Sequence, residues 1–377
     1  MRLTDICDFQ GGSQPPKDEW LFEKQEGYIR MLQIRDFTQS EKVVPEYVKI
    51  SKSTKICQAD DILIARYGAS IGKILTGLSG AYNVAIMRAI PDTHMLQKKY
   101  LYYYLKSPYF QTAILNVGSR AAQAGFNKED LSKLEIKCPL LSEQDSIIDI
   151  LQKVESIIGK RKKELIFLGE LVKARFVEMF GTLHDNENGF DIVTIEDVCS
   201  LIKDGTHQTP QYTEDKKEGY KFLSSKDVMS QKVDWTNIKY IPAELHEKLY
   251  ATIKPQRNDI LMSKNGVNYG VAAVNDTDEV FDIYVSLALL RPKKIIDPVF
   301  LKCVINNPET KWQFDSSIKG IGVPNLHLGE IKKTQMFLPP IELQNQFADF
   351  VRAIDKSKVS LYYKNRKGGF SAIIVYI

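Results

Sequence analysis

The apolar positions of residues 1–140 predict a domain of mixed α and β structure. Short segments rich in β-branched or apolar residues, each bounded by Gly, Pro or Asp, are typical of strands. They are Tyr28–Phe37, Tyr47–Ile50, Asp61–Arg66, Ile71–Leu75 and Val84–Ile90. A tyrosine-rich helical pattern follows at Leu96–Leu115 and is interrupted near Ser107-Pro108, because proline does not fit inside a helix.

The same order of predicted elements recurs about 200 residues later. Predicted strands occupy Val193–Ile202, Tyr220–Asp227, Asp259–Ser263, Tyr269–Val274 and Val285–Arg291, and a helix begins at Pro298. Single residues recur as well: Asp61-Ile62-Leu63-Ile64 as Asp259-Ile260-Leu261-Met262, Gly68 and Gly72 as Gly266 and Gly270, Ala85-Ile86-Met87-Arg88 as Ala288-Leu289-Leu290-Arg291, and Pro139 with Gln144 as Pro339 with Gln344. Since solenoid repeats span only about 20–50 residues, this period indicates a duplicated domain.

Between the two copies, the apolar spacing predicts one long helix. Its seam alternates spacings of four and three, as in a heptad repeat; the seam is Ile147, Leu151, Val154, Ile158, Arg161, Leu165, Leu168, Val172, Arg175 and Met179. Gly181 is a suitable helix end. About 38 residues at 1.5 Å each give a rod of about 57 Å. An ordinary amphipathic helix lying on one domain is the alternative, although few single domains offer so long a flank.

A second helix begins the same seam but does not continue it. Phe347, Val351 and Ile354 are followed by Lys358 and Leu361, after which Asn365 and Gly368 stand where the first helix has leucines. Since Gly368-Gly369 should end a helix, we predict a helix about half as long as the first, with an atypical apolar tail. The predicted organisation is therefore a first domain at 1–141, a central helix at 142–181, a second domain at 182–341 and a shortened C-terminal helix at 342–377.

Composition is that of a soluble globular protein, with 44% hydrophobic and 26% charged residues. No apolar run approaches the roughly 20 residues of a membrane span, and the first residues lack the apolar stretch of a signal peptide. Five scattered cysteines without a CxxC pair predict reduced thiols in a cytoplasmic protein. The net charge of +4 permits nucleic-acid binding only if basic residues gather on one face.

The sequence lacks a recognisable catalytic or metal-binding motif. Gly68-Ala-Ser-Ile-Gly72-Lys73 is one residue short of a phosphate-binding loop, and Ile74 replaces the hydroxyl that would bind magnesium. The histidines are isolated, with no partner at metal-ligand spacing. These absences favour a recognition module that binds no metal and no cofactor of its own.

Several segments, in this order, resemble the specificity subunit of type I restriction–modification enzymes. They are Asp61-Ile-Leu-Ile-Ala-Arg-Tyr-Gly68, Leu171-Val-Lys-Ala-Arg-Phe-Val-Glu-Met-Phe-Gly181, Asp204-Gly-Thr-His-Gln-Thr-Pro210, Pro324-Asn325-Leu326 and Leu338-Pro-Pro-Ile-Glu342. The resemblance covers the chain up to about Leu361. It implies an α+β fold in which two similar mixed α/β target recognition domains, related as a pseudo-two-fold repeat, are separated by long coiled-coil helices.

The resemblance also implies a function without catalysis in this chain. Each target recognition domain would recognise one half of a bipartite sequence in double-stranded DNA, while the helices set the spacer and dock the modification (methyltransferase) subunits. S-adenosylmethionine, ATP and magnesium would be bound by those modification subunits and by a restriction (translocase and nuclease) subunit. Two alternatives remain: part of a larger restriction–methylation enzyme, and a scaffold whose repeated domains bind proteins.

Candidate DNA-binding residues lie in polar or basic loops after predicted strands, where binding residues concentrate. They are Arg66, Tyr67, Ser70, Lys73, Arg120, Gln123, Thr206, His207, Lys264, Asn265, Asn268, Tyr269 and Lys319. The turns at Arg66-Tyr67 and Lys264-Asn265 could instead be solvated, and His207 could instead anchor its loop. Asn127 and Asn325 more plainly suit a role in capping the following turn. Candidate docking and coiled-coil residues are Ile147, Leu151, Val154, Ile158, Leu165, Leu168, Val172, Phe347, Val351 and Ile354.

Overall fold

The computed structural model of the protein describes residues 1–39, 42–118, 125–318 and 324–367. The chain forms two compact units. Unit 1 contains Met1–Lys162 and, of the described residues after unit 2, 362–367, and unit 2 contains Lys163–Leu361. The divisions fall inside two long helices, Leu141–Phe180 and Ile341–Lys367, so each unit includes part of both.

Unit 1 contains an antiparallel sheet and a mixed sheet. Its strands are β1 (Cys7–Gly11), β2 (Tyr28–Leu32), β3 (Glu46–Lys49), β4 (Ile56–Cys57), β5 (Ile62–Ala65), β6 (Ile74–Leu75), β7 (Gly80–Tyr82) and β8 (Ile86–Pro91). Its helices are α1 (Leu3–Ile6), α2 (Ile34–Thr38), α3 (Lys98–Lys106), α4 (Pro108–Gly118) and α5 (Lys128–Leu131), and α6 (Leu141–Phe180) leads into unit 2. The antiparallel sheet has the order β1-β8-β5-β6, and the mixed sheet β3-β2-β7-β4 has β2 parallel to β7.

Unit 2 repeats both sheets. Its strands are β9 (Asp191–Thr194), β10 (Cys199–Asp204), β11 (Tyr220–Leu223), β12 (Lys239–Ile241), β13 (Ile260–Ser263), β14 (Ala272–Val274), β15 (Phe281–Ile283), β16 (Leu287–Pro292) and β17 (Gln335–Leu338). Its helices are α7 (Ile195–Val198), α8 (Ala243–Tyr250), α9 (Pro298–Ile305), α10 (Pro308–Ser317), α11 (Leu328–Lys333) and α12 (Ile341–Lys367). The order β10-β16-β13-β14 matches the antiparallel sheet of unit 1, and β11 lies parallel to β15 in the sheet β12-β11-β15. In addition, β17 pairs with β9.

Two predicted strands end earlier than the sequence indicated, at the same place in each copy. The chain leaves β2 at Gln33 to enter α2, and leaves β11 at Ser224 to enter a 3-10 turn at Ser225–Val228. Asp36 and Asp227 accept the backbone N–H groups of Gln33 and Ser224, each at 2.8 Å, as in a capping box. Apolar residues after each strand continue the strand-like pattern, so both strand ends were predicted several residues too late.

Strand pairing corrects one part of the sequence alignment between the copies. Ile62 pairs with Ala89 in unit 1, and its counterpart Ile260 pairs with Leu290 in unit 2. Ala89 and Leu290 are therefore structurally equivalent. The alignment that equated Met87 with Leu290 is wrong by two residues, because the similarity of these apolar strands does not specify their register.

A buried ion pair recurs in both units in spite of this shift. Arg88 Nε lies 2.9 Å from Asp61 Oδ2, and Arg291 Nη2 lies 2.8 Å from Asp259 Oδ2. Both aspartates are buried. Since side chains alternate between the faces of a strand, a shift of two residues keeps the arginine on the same face. The ion pair is thus built from different positions along β8 and β16.

The tyrosine-rich helix α3 belongs to the core of unit 1. Tyr100 and Tyr104 are fully buried, and their hydroxyls donate to the carbonyls of Lys137 and Glu135 at 3.0 and 2.9 Å. Burial of a tyrosine is favourable when its hydroxyl keeps such a partner. These rings are therefore core residues and not a surface on which bases could stack.

The last turns of α6 belong to the core of unit 2. The ring of Phe180 is fully buried, with ring centroids of Phe300 and Phe347 at 5.0 and 5.5 Å. Phe176, one turn earlier, stacks on Phe300 at 5.9 Å. This aromatic cluster attaches the long helix to unit 2 through edge-to-face and stacked ring contacts.

The predicted seam of α6 is its least exposed stripe. All ten seam positions are buried or half-buried, while most positions between them are exposed. The helix has 40 residues and is therefore about 60 Å long. The α+β class with two mixed domains and a long intervening helix is confirmed.

The second long helix is longer than the sequence predicted. It extends to Lys367 and has 27 residues, so it is about two thirds as long as α6, and Asn365 lies within it. A single asparagine lowers helix propensity only modestly and does not end a helix. Gly368-Gly369 and the apolar tail lie outside the described residues. None of the helices in the described part of the chain combines the length and apolar character that a membrane span requires.

Candidate nucleic-acid interface

Four loops meet at one end of the antiparallel sheet of unit 2. They are residues 204–210, 264–271, 284–286 and 324–326, and we call them the four-loop surface of unit 2. The N–H of Thr206 donates to the carbonyl of Ile283 at 3.1 Å, and that of Lys264 to Ser286 at 3.0 Å. The carbonyl of Lys264 accepts from Leu326 at 2.8 Å. Segments up to about 120 residues apart in the chain are thus joined through their backbones.

The same convergence occurs in unit 1, where the four-loop surface consists of residues 11–16, 66–73, 83–85 and 125–127. The N–H of Ser13 donates to the carbonyl of Tyr82 at 3.0 Å, and that of Arg66 to Ala85 at 2.8 Å. The guanidinium of Arg66 donates to Phe126 O at 3.3 Å. The two surfaces share one backbone framework.

A glycine without room for a side chain begins the first loop of each surface. A Cβ on Gly12 would lie 2.1 Å from the carbonyl oxygen of Asn83, and one on Gly205 would lie 2.0 Å from that of Ile283. Both distances are far inside van der Waals contact, so only glycine allows the loop to approach the neighbouring strand. The predicted correspondence between the Gly11–Pro16 loop and the Gly205 loop is confirmed, and it makes Gln14 the counterpart of His207.

Lys264 is held inside unit 2 by an ion pair. Its side chain is only 5% exposed, and its Nζ lies 2.8 Å from Asp204 Oδ2. The Nε2 atom of His207 lies 3.3 Å from the same carboxylate oxygen, with its own side chain 73% exposed. Lys264 therefore connects two loops of the surface, whereas the imidazole of His207 is accessible from outside.

Arg66, the counterpart of Lys264, has a different environment. Its guanidinium donates to the carbonyls of Phe126 and Val84, both at 3.3 Å, and lies 5.0 Å from the centroid of the Tyr67 ring. Among the residues that the structure describes, Arg66 forms no ion pair with a carboxylate. Its positive charge is therefore not neutralised by a carboxylate in the described part of unit 1, and the neighbouring Tyr67 is exposed.

The remaining predicted DNA-binding residues differ in how far their side chains are exposed to solvent. Tyr269 is buried, its hydroxyl bonds to Asp315, and the ammonium of Lys311 lies 3.7 Å from its ring centroid, so the ring packs within unit 2. Asn268 and Lys73 are exposed. Ser70, Thr206 and Asn265 are half-buried at the loops. Arg120, Gln123 and Lys319 lie outside the described residues.

The two candidate cap asparagines differ. The side chain of Asn127 accepts the N–H of Asp130 at 3.0 Å and caps α5, as expected. Asn325 pairs with Asn265 through the backbone, and α11 begins later, after His327. That the Asn325 side chain caps the following turn stays a prediction. In unit 2, the prediction from sequence did not include Val267, which lies at the loop tip between the candidates Asn265 and Asn268 and is 83% exposed.

The predicted docking residues also differ in how deeply they are buried. Leu151 is buried in the core of unit 1, while Phe347 and Val351 are buried in the core of unit 2. The other members are half-buried: Ile147, Val154, Ile158, Leu165, Leu168, Val172 and Ile354. Leu165, Val172 and Val351 border a groove of about 620 Å³ between α6 and α12, and both helix segments belong to unit 2.

The opposite flank of α6 is apolar and open. Phe167 and Leu171 are 63% and 48% exposed, and they border a second groove that also includes Leu168 and Ser360 of α12. Large apolar side chains one turn apart on a helix form a continuous stripe. An exposed stripe of this kind is typical of a surface that binds another protein.

The cysteines form no metal or redox site in the described part of the chain. Cys7 and Cys199 occupy equivalent positions at the start of β1 and β10, and burial raises the pKa of each thiol to about 12. Such thiols stay protonated and unreactive at neutral pH. Among the described residues, no group of three His, Cys, Asp or Glu side chains is placed to hold a metal ion.

Two copies of one loop framework with different side chains define a duplicated recognition module. The family model described as "Type I restriction modification DNA specificity domain" matches residues 1–166 and 187–366. The chain belongs to this family and contains its domain twice. A protein of this family is the DNA-recognising specificity subunit of a type I restriction–modification system, in which other subunits perform modification and restriction. The predicted family, its non-catalytic function and its partners are confirmed at this level.

Curated relatives agree with the family. The chain is 22% identical over 380 residues to the type I restriction enzyme MjaVIII specificity subunit of Methanocaldococcus jannaschii, with 94% of this chain and 85% of that protein covered. It is 23% identical over 308 residues to the EcoBI specificity subunit of Escherichia coli, with 72% and 64% covered.

Solved structures share the fold. The S subunit of the type I restriction–modification system of M. genitalium matches with a TM-score of 0.53 and 13% identity, covering 99% of this chain and 94% of that one. A chain from a study of complex assembly and conformational transition of the type I R-M system matches with a TM-score of 0.50 and 16% identity, covering 99% and 95%.

Proposed function

We propose that each unit recognises one half of a bipartite DNA target through its four-loop surface. The observation that supports this most directly is the pairing of a shared backbone framework with different side chains at equivalent loop positions. Arg66 corresponds to Lys264, and Ser70 to Asn268. Loops on a constant scaffold are where binding specificity is usually placed. Two different sets of side chains therefore imply two different half-sites.

The proposal includes the domain limits expected from the sequence. Residues 1–141 and 182–341 are the two target recognition domains, 142–181 is the central helix and 342–377 is the C-terminal helical segment. In this arrangement the long helices separate the recognition domains and set the length of the DNA spacer.

Within unit 1, Arg66, Tyr67, Ser70 and Lys73 are proposed to contact DNA. Arg66 lies next to an exposed ring and has no carboxylate partner among the described residues, and Lys73 is exposed on the same loop. Arginine and lysine suit phosphate oxygens and the acceptor edge of guanine, while serine hydroxyls suit several base edges.

Within unit 2, Thr206, His207, Asn265 and Asn268 are the stronger candidates. Asparagine can form paired hydrogen bonds with adenine in the major groove. Lys264 and Tyr269 are proposed to support the loops from within the unit, because their polar atoms already bond to Asp204 and Asp315. Arg120, Gln123 and Lys319 remain candidates from sequence alone.

Reconstitution with modification subunits tests the recognition proposal. The full chain is combined with these subunits, S-adenosylmethionine and genomic DNA, and methylated adenines are mapped by methylome sequencing. We expect methylation at one bipartite sequence with a constant spacer. Methylation that is absent or independent of sequence would overturn the proposal, and the protein-scaffold alternative would then be favoured. Asn268→Ala should relax only one half-site, and Ser70→Ala should affect only the other.

We further propose that modification subunits dock on the α6–α12 region of unit 2. The open stripe of Phe167 and Leu171 supplies apolar area, and the groove beside it is also bordered by Ser357 and Ser360 of α12. Leu165→Asp with Leu168→Asp should lower both complex formation and the melting temperature of the chain, because these side chains are half-buried. Phe167→Asp with Leu171→Asp should abolish complex formation while leaving the melting temperature within a few degrees.

Size-exclusion chromatography measures complex formation for both double variants. Gln152→Asp with Ser156→Asp is the matched control, because both side chains are exposed elsewhere on α6. Normal complex formation by the Phe167 and Leu171 variant would refute docking on this stripe.

The cofactors of the reaction are proposed to belong to the partner subunits. S-adenosylmethionine would be bound by the modification subunits, and ATP and magnesium by the restriction subunit. Since the proposed target is double-stranded DNA, the cytoplasm is the compartment in which this chain is proposed to act.

A further inference from the structure

A buried glutamine joins the start of α6 to the body of unit 1. Gln144 is fully buried, and its Oε1 accepts the backbone N–H of Gln97 at 2.8 Å. Its Nε2 donates to the carbonyls of Met95 and Pro139, both at 2.8 Å. Both donors of the amide and one acceptor position of its oxygen are thus used by backbone atoms outside α6.

The same junction recurs in unit 2. Gln344, in the first turn of α12, is fully buried, and its Oε1 accepts the N–H of Asp297 at 2.9 Å. Its Nε2 donates to the carbonyls of Ile295 and Pro339 at 3.2 and 2.7 Å. Each of these four residues lies 200 positions after its counterpart in unit 1.

The chemistry of the junction explains which residues recur. At two of the three positions that bond to the glutamine, the residue type differs between the units. The type is free to differ because these residues bond to the glutamine only through backbone atoms. The glutamine is the side chain that makes the contacts, and a primary amide is the group that can donate twice and accept at once. Capping of α6 does not require it, since Glu143 accepts the N–H of Leu140 at 3.2 Å.

The position of the junction relates it to the recognition loops. Gln97 and Asp297 begin α3 and α9, the helices that follow β8 and β16. These strands pair with both neighbours in the antiparallel sheets whose ends support the four-loop surfaces. In each unit, the glutamine therefore connects the first turn of a long helix to the segment that follows a central strand of the sheet.

We infer that Gln144 and Gln344 are positioning residues that fix how each recognition domain is attached to its long helix, and thereby which spacer length is accepted. This inference rests on the proposed recognition of a bipartite target. One extra base pair moves a half-site by about 3.4 Å along the duplex and by about 35° around it. Only a stiff attachment can discriminate against a displacement of that size.

The test uses the full chain reconstituted with modification subunits. Adenine methylation rates are measured on duplexes that carry both half-sites, as mapped for the wild-type chain, with the native spacer or with one base pair added or removed. We compare Gln144→Met and Gln344→Met, in which methionine retains the length and removes every hydrogen bond. Gln152→Met and Gln346→Met are matched controls, because these glutamines are exposed on the same helices.

We expect each buried-site variant to lower the preference for the native spacer about tenfold, which corresponds to about 1.4 kcal/mol. The sequence preference within each half-site should not change, and the two controls should match the wild-type chain. A general loss of stability would instead reduce methylation equally on all spacers and leave the ratio unchanged. An unchanged ratio with folded, active variants would overturn the inference.

Two outcomes separate this inference from the proposed function. If the wild-type complex shows no site-specific methylation, the proposed function fails. If it does and the variants keep their spacer ratio, only the positioning role fails. Hydrogen exchange of the Gln97 and Asp297 amides in the wild-type chain is a second measurement that needs no folded variant. Strong protection is expected, and rapid exchange of either amide would contradict a rigid junction.

Discussion

The ion pair between Lys264 and Asp204 makes Lys264→Met an informative substitution in unit 2. The ammonium lies 2.8 Å from Asp204 Oδ2, and the two side chains are 5% and 20% exposed. Methionine retains the apolar stem and removes the charge. Of the residues that the structure describes, only His207, at 3.3 Å, would then remain to pair with this carboxylate as a cation.

The expected cost follows from the burial of the pair. Breaking a fully buried ion pair on one side costs about 3–5 kcal/mol. Since Asp204 is one-fifth exposed and solvent screens its charge, we expect a loss of about 2–3 kcal/mol in the free energy of unfolding. Adding Asp204→Asn removes the stranded charge, so the double variant should return to within about 1 kcal/mol of wild type.

Urea unfolding of the full chain measures these free energies, with fluorescence that includes Trp235 of unit 2 as the signal. Lys248→Met is the matched control, because Lys248 forms an exposed pair with Glu244 on α8, and its loss should leave the free energy of unfolding almost unchanged. A double variant as unstable as Lys264→Met would refute the ion-pair explanation.

DNA binding separates this supporting role from direct contact. If Lys264 makes no phosphate contact, the double variant should keep the wild-type slope of log affinity against log salt concentration. A lysine that neutralises one phosphate contributes about 0.9 to that slope. A decrease of this size in the folded double variant would show that Lys264 contacts DNA.

Three further substitutions or reactions test the site and the core. Arg66→Ala should weaken binding of the mapped target by about 1–3 kcal/mol in competition assays, because no carboxylate in the described part of unit 1 neutralises its charge; a dissociation constant within twofold of wild type would contradict this. Iodoacetamide at pH 8 should leave Cys7 and Cys199 unmodified in the folded chain, since burial raises the pKa of each thiol to about 12. Both should be modified in urea, as followed by mass spectrometry, and rapid labelling of the folded chain would contradict the expected burial. Phe180→Ala should cost about 3–5 kcal/mol in urea unfolding, whereas the exposed Phe167→Ala should cost less than about 0.5 kcal/mol; equal costs would refute the aromatic anchor.

Local patterns were sufficient to predict the repeated elements and the seam of α6. The paired glycines Gly68, Gly72, Gly266 and Gly270 all have positive φ, which is the local reason for their recurrence. The ten seam positions are all buried or half-buried, because a heptad spacing places them on one side of a helix. Such features depend on neighbours a few residues away, so the amino-acid sequence determines them.

Strand register was not determined by the sequence. Arg88 and Arg291 looked equivalent in a linear comparison, yet the pairing of β5 with β8 and of β13 with β16 places them two residues apart. Both arginines reach the equivalent aspartates, because a two-residue shift preserves the face of a strand. A comparison along the chain cannot distinguish the two registers when both satisfy the same alternation.

The sequence by itself determined that this chain contains two copies of one domain and a long helix, because repetition and apolar periodicity can be recognised along the chain. Only the tertiary structure decided which loop residues are free to contact DNA. Lys264 and Arg66 occupy the same place in the repeat, but Lys264 meets Asp204, which precedes it by 60 positions. Whether a charged side chain faces solvent or a carboxylate depends on loops brought together by sheet pairing, and that proximity exists only in the folded protein.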